Sequence, residues 1–124
     1  MIKSSELRIG NIFIVGGIER LVFVSAIFKT HFRCQDKDGI SFEESIRVNY
    51  NPIPLSEEIL LKCGFEETAY HQYTLGDQTV SFSESDGLSF WIMGTELTFK
   101  RKYLHELQNL WFTFYGQELN TSGL

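Results

Sequence analysis

ELTFKRKYLHELQNLWFTFYGQEL, residues 96–119, passes from strand-like alternation to helical spacing within a few residues. From Tyr103 on, the helical period gathers Tyr103, Leu104, Leu107, Leu110, Trp111, Phe114 and Tyr115 on one broad face. An apolar arc of that width predicts a C-terminal aromatic helix lying on a sheet, and NTSGL (120–124) after it reads as a loose tail. Phe112 falls outside the arc, near His105, Gln108 and Gly116 on the polar side. It is either an isolated exposed aromatic or a partner contact. Lys100, Arg101 and Lys102 precede the helix, where its dipole disfavours cations. They either continue the preceding strand into solvent or sit at the helix start at a small electrostatic cost. His105 and Asn109, spaced i, i+4, either anchor a neighbouring loop or line a polar patch with Gln108. Lys100, Arg101, Lys102, His105, Gln108, Asn109 and Phe112 form the candidate interaction surface.

Upstream of the helix, YHQYTL, QTVSFS, LSFWIM and TELTF are strand-like runs separated by Gly76-Asp77, Asp86-Gly87 and Gly94. The spacing fits a β-meander with one packed face, Val80 and Phe82 sharing it on one strand. Before the meander, NPIPLSEEILLKCGF (51–65) predicts a short helix, with Ser56 as N-cap, Glu57 and Glu58 in the first turn and Gly64 beyond the end. The first fifty residues read as five short strands, beginning with RIGNIFIVGG and IERLVFVSAI around a Gly16-Gly17 hairpin turn. THFRCQD, ISFEE and IRVNY follow. They suggest a small antiparallel β-barrel, closest to the Src-homology-3-like architecture, or another antiparallel sheet. The expected class is α+β in one domain, 1–124. It has an N-terminal β-barrel lobe, 1–51, and a C-terminal αβββα lobe, 52–124.

Composition restricts the function classes. The net charge of −5 opposes general affinity for nucleic acid or anionic membrane. Eleven Phe, five Tyr and two Trp indicate an aromatic-rich core or binding surface. Two cysteines, Cys34 and Cys63, suit a reducing compartment, and MIKSSELRIGN lacks the apolar core of a signal peptide. Leu21–Val24, among the longest apolar runs, is too short to span a bilayer. A cytoplasmic location, with no membrane partner, is expected.

No motif specifies a reaction. His31, His71 and His105 lie in three different predicted elements, and His31 and Cys34 point to opposite faces of one strand. The adjacent pairs Glu43-Glu44, Glu57-Glu58 and Glu66-Glu67 diverge on either element type and form no catalytic dyad. There is no phosphate-binding glycine loop and no Gly-x-Ser-x-Gly elbow. We therefore expect no catalytic residues, cofactor or metal. Lys29, His31, Phe32 and Arg33 are the candidate nucleic-acid patch on the N-terminal barrel, disfavoured by the acidic balance.

ELRIGN near the start, IPLSEEILLKCGF in the middle and YLHELQNLWFTFYGQEL at the end carry a resemblance that spans most of the chain. The sequence resembles an uncharacterised family of small proteins from Bacteroidetes prophages and mobile elements. Its members have an LRIGN start, a PLTEEWLLKFGF-like helix and a YVHQLQNLYFALTGEEL-like ending. Matching positions here are Leu7–Asn11, Pro54–Phe65, His105–Leu110, Gly116, Glu118 and Leu119; Trp111, Phe112 and Tyr115 depart from the pattern. The resemblance assigns no chemistry. It implies a non-enzymatic accessory protein acting by protein–protein interaction or self-association. The alternatives are nucleic-acid binding through the barrel and a small-molecule (nucleotide) site between the lobes.

Overall fold

A computed structural model describes residues 7–15, 20–28, 31–39, 41–45, 50–92 and 95–124. It is α+β, with two five-stranded antiparallel sheets and two helices among those residues. No helix in them is long and apolar enough to cross a membrane. The chain forms two compact units: Met1–Ile53 with Tyr103–Asn109, and Pro54–Lys102 with Leu110–Leu124.

In the first unit, β1 (Ile12–Val15), β2 (Arg20–Ile27), β3 (His31–Gln35), β4 (Ser41–Ser45) and β5 (Tyr50–Pro52) are ordered β4-β3-β2-β1-β5. Four strands form a meander and β5 returns to β1, pairing Phe13 with Pro52. Pro52 is tolerated there because an edge strand needs no donor on its outer side. No pairing of β4 with β5 closes the sheet among the described residues. Strand alternation sends Phe13, Val22, Val24, Phe32 and Cys34 inward as one apolar cluster, with Leu7 packed against it. The register shifts between Val24 and Ala26, where Ser25 Oγ donates to the Arg33 carbonyl at 3.1 Å. The Gly16-Gly17 turn, Gly94 and the first residues of IRVNY lie outside the described residues.

In the second unit, Ser56 caps α1 (Glu57–Lys62) by accepting the Ile59 N–H at 3.2 Å. Glu57 and Glu58 occupy the first turn, and Glu58 pairs with Lys62 at 3.0 Å. The sheet follows as β6 (Glu66–Ala69), β7 (Gln72–Leu75), β8 (Gln78–Ser83), β9 (Gly87–Ile92) and β10 (Thr95–Phe99), in sequential order. Tyr73, Val80, Phe82, Leu88 and Phe90 are buried. From Leu110 onward α2 (Leu104–Tyr115) belongs to this unit and covers the sheet as its spacing predicts. Phe114 lies 5.2 Å from Phe90 and 5.8 Å from Phe99, and Trp111 meets Phe65 edge-on at 5.4 Å. Each such buried side chain contributes roughly 1.5–3 kcal/mol.

The Tyr115 hydroxyl is buried with no hydrogen-bond partner among the described residues, and burial raises its pKa. Tyr115→Phe removes that desolvated group and is expected to stabilise by about 1 kcal/mol in urea unfolding. A loss of stability would show that the hydroxyl contributes instead.

Three features differ from the sequence reading. β6 is a strand although EETA has no apolar alternation: every side chain of this edge strand is exposed. Tyr70 and His71 form the turn after it rather than opening a strand, with His71 at φ 60. NTSGL is not a loose tail. Leu119 before it is buried, and Gly123 lies so close to the Lys62 carbonyl that a Cβ would collide with it.

Candidate functional site

The expected interaction surface separates into three environments. Lys100, Arg101 and Lys102 lie on an extended segment between β10 and α2, with exposed side chains. Their place is fixed by backbone bonding: the Arg101 carbonyl accepts from Leu88 N–H at 3.1 Å and that of Lys102 from Leu55 N–H at 2.8 Å. They neither cap the helix nor oppose its dipole from within the first turn. Phe112 is exposed, as its off-arc position predicts.

His105 and Gln108 are not surface residues; each is only 2% exposed. The His105 ring packs 5.3 Å from Phe13 and stacks at 6.2 Å with Tyr103. Gln108 is turned inward because its amide replaces a missing strand partner. Its Oε1 accepts from Ile12 N–H at 3.0 Å, and its Nε2 donates to the Gly10 carbonyl at 2.9 Å. Gly10, at φ 95, lets the chain present that carbonyl just before β1. Asn109 Oδ1 accepts from Arg8 Nη1 and Asn11 Nδ2, both at 2.9 Å. Asn11 Oδ1 accepts from Arg8 N–H at 2.7 Å. LRIGN and HELQN, at opposite ends of the sequence, thus meet as one buried polar clamp. Gln108 and Asn109 bond to the N-terminal segment, whereas the His105 ring packs against Phe13 and Tyr103.

The candidate nucleic-acid patch is also divided. Phe32 is buried in the apolar cluster, because strand alternation points it inward with Cys34. Arg33 faces the other way, with its guanidinium 5.6 Å from the centre of the Phe28 ring. Phe23, Ile27 and Phe28 are exposed on the same unit. Lys29 lies outside the described residues, and only the backbone of His31 is described.

A depression lies on the outer face of the second sheet, with a volume of about 580 Å³. Alternation creates it: Ser81 and Ser83 face outward between the buried Val80 and Phe82. Register then places Ser81 beside Ser89 and Ser89 beside Thr98. Ser89 Oγ donates to Thr98 Oγ1 at 3.1 Å, and Trp91 Nε1 to Ser81 Oγ at 3.4 Å. Glu96, Asp86, Lys100 and His71 give the rim both signs of charge. This arrangement suits hydrogen bonding to a polar ligand. The alternation of QTVSFS already marked these hydroxyls as outward-facing, but nothing in the sequence marked them as convergent.

An adjoining depression of about 470 Å³ is lined by Glu57, Glu67, Tyr70, His71 and Tyr73, among others. A hydrogen bond with Glu57, together with its like charge, raises the Glu67 carboxyl above the usual range, while His71 opposes the shift. Burial, then Glu57 and Glu67, push the Tyr73 hydroxyl up as well. Because the folded state raises the Glu67 pKa, the pair's stabilisation is present below the unfolded value of about 4.3. It is lost as pH rises through the folded value. Glu67→Gln is therefore expected to raise the unfolding midpoint at neutral pH, with the gain vanishing in acid. A gain that persists in acid would refute the shared-proton account.

Neither thiol belongs to a site: Cys34 and Cys63 are buried, and burial pushes Cys63 up to about 11. No group of three potential metal ligands occurs among the described residues. Comparison with protein-family models, curated proteins and solved structures finds no match to the chain.

Proposed function

We propose that this chain is a non-enzymatic accessory protein of a phage or mobile element, acting in the cytoplasm through protein–protein contact or self-association. The observation that carries the reading is the β9–β10 side of the second sheet. There Trp91 is exposed on the outer face opposite Glu96, and the exposed cations Lys100, Arg101 and Lys102 follow β10. Trp and Arg are the residue types enriched where binding energy concentrates. The phage assignment rests on the LRIGN, PLSEEILLKCGF and HELQNL motifs. The test is capture of the tagged chain from its host during element induction, against a variant carrying Lys100→Glu, Arg101→Glu and Lys102→Glu. A protein retained by the parent and lost by the variant supports the reading; abundant nucleic acid with no specific protein reverses it.

The first sheet is, on the same proposal, a Src-homology-3-like barrel. The order β4-β3-β2-β1-β5 supports this, since in such a barrel a fifth strand returns from a four-strand meander to the first. Arg33 over Phe28 favours nucleic acid as a second reading. That reading requires binding that falls steeply with salt, and no binding at low salt eliminates it. For a nucleotide-sized ligand, the depression on the second sheet is the place to look, by thermal-shift screening.

A further inference from the structure

β10 forms one edge of the second sheet and, among the described residues, pairs only with β9. Its side chains from Thr95 to Thr98 are exposed, Leu97 by 39%. An open edge with regular register is a template for another strand, so proteins commonly blunt such edges with charge or a bulge. The opposite edge is blunted both ways: β6 carries Glu66 and Glu67, and its register breaks between Glu67 and Ala69. β10 keeps unbroken register from Thr95 to Phe99. The charges along it, Glu96 and the following Lys100, have opposite signs.

We propose that β10 pairs antiparallel with β10 of a second copy across a two-fold axis at Thr98. The proposal rests on the self-association reading above and gives it an address. The segment Glu96-Leu97-Thr98-Phe99-Lys100 is self-complementary about its centre. With Thr98 opposite Thr98, Leu97 faces Phe99 of the second copy and Glu96 faces Lys100. Directly opposed residues share a sheet face, so this register matches the alternation already present in β10. A slip of one residue would set Leu97 against Thr98, mixing the two faces. The centred register joins both apolar residues of the segment to apolar ones and acid to base at once. The paired sheets become one continuous sheet, with the hydroxyl-lined depressions of both copies flanking the axis.

Light scattering on the full chain across a concentration series is expected to show the mass doubling. Glu96→Lys and Lys100→Glu each set like charges opposite one another twice across the axis, weakening the dimer by about tenfold. The double variant, with signs exchanged, is expected to restore it. Thr98→Cys places a thiol on the axis, and a mild oxidant is expected to link two copies there; Cys34 and Cys63 are buried and do not compete. A monomer throughout the series overturns both this proposal and the self-association reading. A dimer indifferent to the single reversals, or not restored by the exchange, overturns the β10 interface alone.

Discussion

Gln108→Ala is expected to destabilise the chain by about 3 kcal/mol in urea unfolding, because it abandons two backbone groups at once, one buried and one half-buried. The Ile12 N–H and the Gly10 carbonyl both bond to the Gln108 amide, which is itself buried. A buried donor and acceptor left unpaired each cost roughly 1–3 kcal/mol, before any cavity forms. Gln108→Glu separates polarity from size. Its carboxylate still accepts from Ile12 but sets an oxygen against the Gly10 carbonyl and buries a charge. Burial raises that carboxyl's folded pKa, so the variant's stability is greatest in acid, where the protonated group donates to Gly10. It falls as pH rises through the folded value. A Gln108→Ala variant as stable as the parent would remove the clamp from the account of the fold.

Gly87→Ala is the second large loss, expected at about 3 kcal/mol or more. Gly87 has φ 78, where an L side chain is strained. A Cβ there would lie 2.7 Å from the Phe99 carbonyl oxygen and 2.9 Å from that of Arg101. Those atoms are backbone and cannot rotate away, and the Arg101 carbonyl is already bonded to Leu88 N–H. Gly76→Ala isolates the conformational part: at φ 61 it has no atom within 4 Å of a new Cβ. Its expected loss is only about 1 kcal/mol. Equal losses at the two glycines in thermal unfolding would show that crowding at Gly87 is not the cause.

The parts of the fold that were readable are those specified by neighbours in sequence. Ser56, Glu57 and Glu58 announce α1 through capping and dipole chemistry, and Val80, Phe82, Leu88 and Phe90 announce the meander through alternation. β6 was hidden because Glu66–Ala69 is an edge with no buried side chain, and pattern reading detects burial. Gln108 was misplaced for the opposite reason. An amide looks solvent-facing unless its backbone partners are known, and those are Gly10 and Ile12, nearly the whole chain away. Phe32 shows the limit of scanning for residue types: adjacency to Arg33 suggested one patch, but strand geometry sends neighbours to opposite faces. The convergence of Ser81, Ser89 and Thr98 needs the register of three strands, which no single stretch encodes.

The discontinuity of both units bears on how the chain is made. Ile12 leaves the ribosome 96 residues before the side chain that occupies its N–H. Residues Tyr103–Asn109 complete a unit that starts at the N-terminus, and Leu110–Leu124 complete one that starts at Pro54. Neither can close while Tyr103–Leu124 is still in the exit tunnel, so the earlier strands of both units wait for that segment. Nor can either half be produced as a contiguous fragment: cutting before Tyr103 leaves β1 without its surrogate strand partner and the second sheet without its aromatic cover.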